Sequence, residues 1–206
     1  MTQEIYRMAF KDLRKRKCET RKPRRRIILS CEGNITEIQY FRHFENMRKD
    51  ICIKFVNNRR HRSAPNFVLD DLKKYLDAEP LMRDDEAWVV IDYDDRSHET
   101  IQSVIDGLHK IGKNAHLALS NPNFEFWLLL HFDKGAGVQT KTQCKTKLST
   151  FIPNYDKTVP SKVFEHVEDA IARAEAIDRN SNSPWPVKSG TTVYKLVKLL
   201  LPDCKD

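Results

Sequence analysis

Between residues 27 and 132, short β-branched and apolar runs alternate four times with helical patterns, and this order restricts the chain more than any other feature. Residues 27–31 form the first run and end at Glu32-Gly33-Asn34. Thr36 and Gln39 then have capping-box spacing, and Ile38, Phe41, Phe44 and Met47 recur at roughly helical intervals. Residues 51–56 read as a second strand, and Ser63 with Pro65 opens a helix carrying Val68, Leu72, Tyr75 and Leu76 inward. A third run, 88–91, leads directly into Asp92-Tyr93-Asp94-Asp95-Arg96. Ile101, Val104, Ile105, Leu108 and Ile111 give the clearest amphipathic helix. Residues 116–119 supply a fourth strand before Ser120-Asn121-Pro122, and an apolar helix follows over about 124–132. A β-α-β-α-β-α-β-α order implies parallel strands joined by right-handed crossovers. The expected fold is α/β: a mostly parallel four-stranded sheet of Rossmann type, flanked by helices.

Beyond a break near 135–137 the pattern is helical, over 139–151, 162–178 and 191–201, with a Pro-rich loop at 183–186. The expected division is a basic segment at 1–26, an α/β core at 27–134 and a C-terminal helical annex at 135–206 packed on that core.

Charge is concentrated. The whole chain carries +7, yet residues 11–26 alone hold ten Lys/Arg against Asp12 and Glu19, so the remainder is close to neutral. A basic run of this kind attracts phosphates by releasing condensed counterions. Arg14, Lys15, Arg16, Lys17, Arg24, Arg25 and Arg26, with Arg59, Arg60 and Arg62, are the candidate nucleic-acid contacts. The plainer alternative is a solvated lead-in. Phe41, Phe67, Trp185 and Tyr194 could stack bases, although burial is the commoner use of aromatic rings.

The apolar runs are far shorter than the roughly 20 residues that span a bilayer, and the N-terminus shows no secretory h-region. Five cysteines without a Cys-x-x-Cys pair argue against a zinc ribbon or a disulfide framework and fit a reducing cytoplasm.

Ligands of open parallel sheets bind outside the carboxyl ends of the strands. Glu32 follows the first strand, while Asp92, Asp94 and Asp95 follow the third. Grouped carboxylates repel and resist desolvation, so they stay ionised only beside a cation. Mg²⁺, or Mn²⁺ in its place, takes oxygen ligands and needs only one or two carboxylates plus a substrate phosphate. In an extended chain residues i and i+2 point the same way, so Asp92 and Asp94 can share a metal. Each motif also has an ordinary use, as a helix cap or a turn. The Asn121 and Asn123 side chains and the backbone after Pro122 could hold a phosphate. Glu125 could add a ligand or simply complement a helix terminus. His131 is a candidate acid or base, though an imidazole between Leu130 and Phe132 often serves packing.

Three segments together, 31–37 with Tyr40-Phe41, 91–95, and Ser120-Asn121-Pro122-Asn123-Phe124-Glu125-Phe126-Trp127 through Phe132, resemble the RloB-like family over about residues 26–200. That family is similar to the Toprim superfamily of primases, topoisomerases and nucleases. The resemblance implies a Toprim-like core in which Glu32 is the general acid or base and Asp92 with Asp94 holds Mg²⁺. Asp95 would be a further or outer ligand, and Glu37, Arg96, Asn121 and Glu125 would support the site or bind phosphate. It also implies a cytoplasmic role in bacterial defence against phage or foreign nucleic acid, next to restriction systems.

The expected function is Mg²⁺-dependent cleavage of DNA or RNA, alone, as a homo-oligomer or with a partner protein. A second reading is a sensor or subunit that binds nucleotide without cutting. A third, phosphoryl transfer through an Asp nucleophile, fits poorly. It needs D-x-D-x-Thr/Val after the first strand, whereas here the pair follows the third and Arg96 takes the Thr/Val place.

Overall fold

The computed structural model describes residues 24–57, 64–179 and 183–202. Arg14, Lys15, Arg16, Lys17, Arg59, Arg60, Arg62 and the expected cap Ser63 lie outside the described residues. Strands are β1 (Arg25–Cys31), β2 (Ile51–Phe55), β3 (Glu86–Asp92), β4 (Ala115–Asn121) and β5 (Gly190–Thr191). Helices are α1 (Thr36–Arg42), α2 (Pro65–Ala78), α3 (His98–Ile111), α4 (Phe124–Leu130), α5 (Lys141–Ser149), α6 (Val167–Arg179) and α7 (Val193–Leu200). A 3-10 segment, Ser161–His166, leads into α6.

The strands form one sheet in the order β2-β1-β3-β4-β5, with the first four parallel and β5 antiparallel at the edge. The sheet thus has five strands, not the four expected. β5 is only two residues long, too short to carry a periodic signal, and pairs with Ser120 and Asn121 at the end of β4.

Both faces of the sheet are covered, which is why the strands read as continuous apolar runs. On one face Ile27, Leu29, Trp88, Val90 and Ala118 pack against α1 and α4–α7. On the other Ile28, Val89, Ile91 and Leu119 meet α2, α3 and Trp185. Residues 138–200 therefore complete a layer of the sheet's own core. Trp185 and Tyr194 are buried, as is Phe41, while Phe67 is exposed.

Pro65 opens α2 at its first turn as expected, after Ala64. The spacing of Thr36 and Gln39 does not produce a cap. Thr36 is already helical, and its hydroxyl donates to the Lys157 carbonyl at 3.0 Å. The Gln39 side chain accepts from the Val159 amide at 2.9 Å. Both side chains tie α1 to the 155–159 segment. Because α1 stops at Arg42, Met47 lies beyond it and is exposed.

At the sheet's N-terminal edge, Asp85 is buried and accepts from the Arg26 amide (2.7 Å), Arg26 Nε (2.8 Å) and the Met82 amide (2.8 Å). Burial opposes the Asp85 charge, but these bonds win and hold its pKa below the ordinary value. Arg25 pairs with Glu86. Two of the arginines expected to meet nucleic acid are thus committed to acids, a strand's length of roughly 20 Å from Glu32.

Candidate active site

The connection order places β1 between β2 and β3, so successive crossovers leave β1 in opposite directions and open a crevice between the ends of β1 and β3. Glu32 and Asp92 stand on its two sides. The Glu32 amide donates to the Val90 carbonyl at 2.9 Å, and the Asp92 amide donates to Glu32 Oε2 at 3.3 Å. Arg96 ties both sides together, its Nη2 bonding Glu32 Oε1 and its Nε donating to the Asp92 carbonyl at 3.3 Å.

Two more carboxylates reach the same volume from helices on one face. Glu37 and Glu125 each sit in the first turn of a helix, α1 and α4, where the positive end of the dipole tempers repulsion. Glu37 is 7% exposed. Its carboxylate accepts from the Gly33 amide, and a Cβ on Gly33 would collide with it. Glycine in Glu32-Gly33-Asn34 thus leaves room for the Glu37 carboxylate, which a larger residue would displace.

The grouped carboxylates act on one another's charge. Burial raises the Asp92 pKa well above the ordinary range, and the charges of Glu37, Glu32 and Glu125 raise it further against the pull of Lys141. Glu32 is raised by burial too, with Arg96 and the Asp92 amide opposing. Glu37 rises through burial and the Glu125 charge. Buried Cys144 is pushed up to about 12, by burial first and then by Glu125 and Asp92.

Asp94 and Asp95 diverge from this cluster. Both have φ of +55°, so the i, i+2 alternation of an extended chain ends at Tyr93. Asp94 pairs with Lys141 at the start of α5. Asp95 is exposed and lines a separate cavity on the other side of the loop.

Asn121 is buried, and its side-chain amide donates to the Pro186 and Val187 carbonyls, both at 3.0 Å, fixing the 183–190 loop. His131 lies in the aromatic core, fully buried. It contacts the Tyr40 hydroxyl through Nε2 at 3.1 Å and the Trp127 carbonyl through Nδ1 at 3.0 Å. Burial lowers its pKa to about 4. The expectation of a catalytic His131 is corrected on these grounds: both ring nitrogens are engaged and neither meets solvent.

A family model for RloB-like proteins matches residues 27–200. The chain belongs to the RloB-like family. Neither curated proteins nor solved structures give a match. In this RloB-like chain the matched span includes every carboxylate of the crevice and all five strands' pairing from Ile27 onward.

Among the described residues no three His, Cys, Asp or Glu side chains stand ready as a metal-ligand set. The donor chemistry nonetheless suits a hard divalent cation. Four carboxylates converge, three of them with pKa values raised by burial. Asn123 Oδ1, two residues before Glu125, is buried with no hydrogen-bond partner. One or two carboxylates suffice for Mg²⁺, so Glu32 and Asp92 are the groups that would hold such an ion, with the Glu37 and Glu125 charges close by.

Sequence reasoning missed Lys141, Lys157 and Tyr155. The Lys157 charge lowers Glu37, and the Tyr155 hydroxyl lies 3.2 Å from Thr36 Oγ1. The only sequence hint was the true capping box of Thr140 and Gln143, which fixes where α5 begins and so where Lys141 stands. Among the described residues no helix is long and apolar enough to cross a membrane.

Proposed function

We propose that this RloB-like protein is a Mg²⁺-dependent nuclease acting in defence against foreign nucleic acid. The observation that carries the reading is the grouping of Glu32, Glu37, Asp92 and Glu125 about the sheet's switch point, where burial and neighbouring carboxylates raise the pKa values of Glu32, Glu37 and Asp92. Buried carboxylate clusters of this kind cost stability and are found where function needs them. A bound divalent ion would offset the repulsion and polarise a phosphoryl oxygen.

Hydrolysis adds water's oxygen to phosphorus, releases one proton, and delivers one to the leaving oxygen. Glu32, with its pKa raised by burial, is the group suited to carry that proton. Arg96, already at Glu32, can place positive charge beside a phosphate. Asp92 is the central ligand of the reading. Asp94 joins only when Lys141 releases it.

The test uses plasmid, single-stranded DNA and total tRNA, each with Mg²⁺, Mn²⁺ or EDTA, for wild type and Glu32→Gln. Metal-dependent cleavage lost in the variant is expected; equal cleavage by a folded Glu32→Gln protein would remove Glu32 from the chemistry. A second reading has its own support. Arg96 on Glu32 and Lys141 on Asp94 hold the site in internal ion pairs. That suits a sensor, or a subunit silent until a partner protein or trigger opens it. Metal binding without cleavage of any of the three substrates would favour it.

A further inference from the structure

The loop after β3 has two sides, and the second is unused by the chemistry above. Asp92 serves the carboxylate crevice and Asp94 pairs with Lys141, whereas Tyr93 and Asp95 line a cavity of about 560 Å³. Its other walls are the 134–139 loop and residues 187–189, with Phe126 and Ile177 beneath. That volume falls within the roughly 300–1,000 Å³ of small-ligand sites.

The walls are fixed in advance. Asp133 accepts from the Gly135 amide at 2.7 Å and pairs with Lys147, which also donates to the Ala136 carbonyl at 3.1 Å. Ser189 donates to the Val138 carbonyl, joining the two walls. Gly135 has φ of +70°, and a Cβ there would lie 2.6 Å from the Phe126 ring, so the loop rests directly on that aromatic floor.

Its chemistry is mixed in an informative way. Lys141 and Lys147 are spent on Asp94 and Asp133. Lys134 and Lys188, on the cavity's rim, have no ion-pair partner among the described residues. Two unspent cations beside apolar and aromatic surface suit a phosphate joined to a flat heterocycle. Asp95 can accept from an exocyclic amine or a sugar hydroxyl.

We propose that this cavity binds one unpaired nucleoside next to the scissile phosphate, so that the substrate is single-stranded or locally unpaired nucleic acid. This rests on the nuclease reading, which places the phosphate at the adjoining crevice. A recess of this volume has room for a single base, and a base can enter it only when it is out of its duplex stack. Lys134 and Lys188 hold the flanking phosphate.

The test uses the full chain as Glu32→Gln, which keeps substrate intact, in about 0.2 M salt to weaken non-specific contacts. Fluorescent single-stranded and duplex oligonucleotides of one sequence are titrated by anisotropy. Further variants add Lys134→Ala with Lys188→Ala, or Ala136→Trp to fill the cavity. Mn²⁺ binding by calorimetry and thermal melting serve as controls. The expected result is single-strand binding at least tenfold tighter than duplex, reduced at least tenfold by either set of changes, with Mn²⁺ affinity and melting unchanged. Equal affinity for duplex overturns the proposal, as does unaltered single-strand binding by the filled and lysine-free proteins. Either failure leaves Glu32-dependent cleavage by the wild type standing. Selective single-strand binding without any cleavage would instead sink the nuclease reading and keep the cavity.

Discussion

Replacing His131 with Gln is expected to remove a specific portion of the protein's acid sensitivity and to leave metal-dependent cleavage in place. The imidazole is fully buried, and its pKa falls from 6.5 to about 4, through burial first, with the nearby His166 and Arg173 charges contributing. The backbone partners around Trp127 and Leu128 act in the opposite sense and lose. A base whose folded pKa is lowered binds its proton more readily in the unfolded chain, so stability falls as pH drops below 6.5 and continues falling to about 4. Between pH 7.5 and pH 5 this amounts to about 2 kcal/mol, from the ratio of the two titration curves. Urea unfolding followed by tryptophan fluorescence, in EDTA at both pH values, gives the quantity directly. Carboxylates titrate alike in both proteins, so the difference between wild type and His131→Gln isolates the imidazole. The variant loses some stability at pH 7.5 because the ring leaves Tyr40 and Trp127, yet its drop on acidification is smaller by about 2 kcal/mol. Equal drops would refute the burial argument. Cleavage lost a hundredfold in a folded variant would return His131 to the chemistry.

Asp92→Asn removes the most repelled charge of the crevice, so the metal-free protein should melt higher; a gain of about 1 kcal/mol appears as roughly 2–4 °C in a chain of this size. The same variant should no longer be stabilised by Mg²⁺, and a lower melting point in EDTA would contradict the repulsion. Glu32, Glu37 and Asp92 are acids with raised folded pKa values, so their contribution is intact below the ordinary carboxylate range and is lost as pH rises through the raised values. Melting scans from pH 5 to 8 should therefore show a Mg²⁺-induced shift that grows with pH, and a shift independent of pH would count against the cluster as the binding site. Lys141→Gln takes a half-exposed counter-charge from Asp94, so stability should fall by about 1 kcal/mol or less. Mn²⁺ should then bind several-fold tighter by calorimetry, because Asp94 is released; unchanged affinity would mean that Lys141 does not compete with the ion.

Much of the fold was legible because parallel strands covered on both faces are continuous apolar runs, and residues 27–31 and 88–91 have no second interpretation at that length. β5 was not legible, since two residues, Gly190 and Thr191, take their strand character entirely from β4. Glu32 and Asp92 could be placed from sequence because strand ends and site position coincide in this architecture. What sequence could not supply was direction after the strand: left-handed backbone at Asp94 and Asp95 sends those two acids away from Asp92. Thr36 and Gln39 carried a correct local signal that lost to tertiary bonds with Lys157 and Val159. Arg25 and Arg26 counted toward a basic patch until Glu86 and Asp85 returned beside them. Each miss involves a partner about sixty residues or more away along the chain, or a backbone choice that composition does not encode.

The distribution of sign around the sheet's carboxyl edge bears on which ligand the site suits. Glu32, Glu37, Asp92 and Glu125 together would repel a phosphate, so an anion alone is a poor occupant. A divalent ion alone accounts for the carboxylates but not for the basic groups arranged around them. Arg96 and Lys141 reach over the cluster, and Lys134 and Lys188 border the adjoining cavity. Both signs find a use when a cation and a polyanion enter together, the ion against the acids and the phosphates against the bases. Under the nuclease reading the ion pairs of the resting site have a physical meaning: Arg96 and Lys141 would neutralise the acids until a metal did, and would be freed for phosphate on its arrival. Loss of substrate affinity should thus accompany loss of metal affinity in Asp92→Asn, because the same replacement leaves the basic groups bound to the carboxylates that remain.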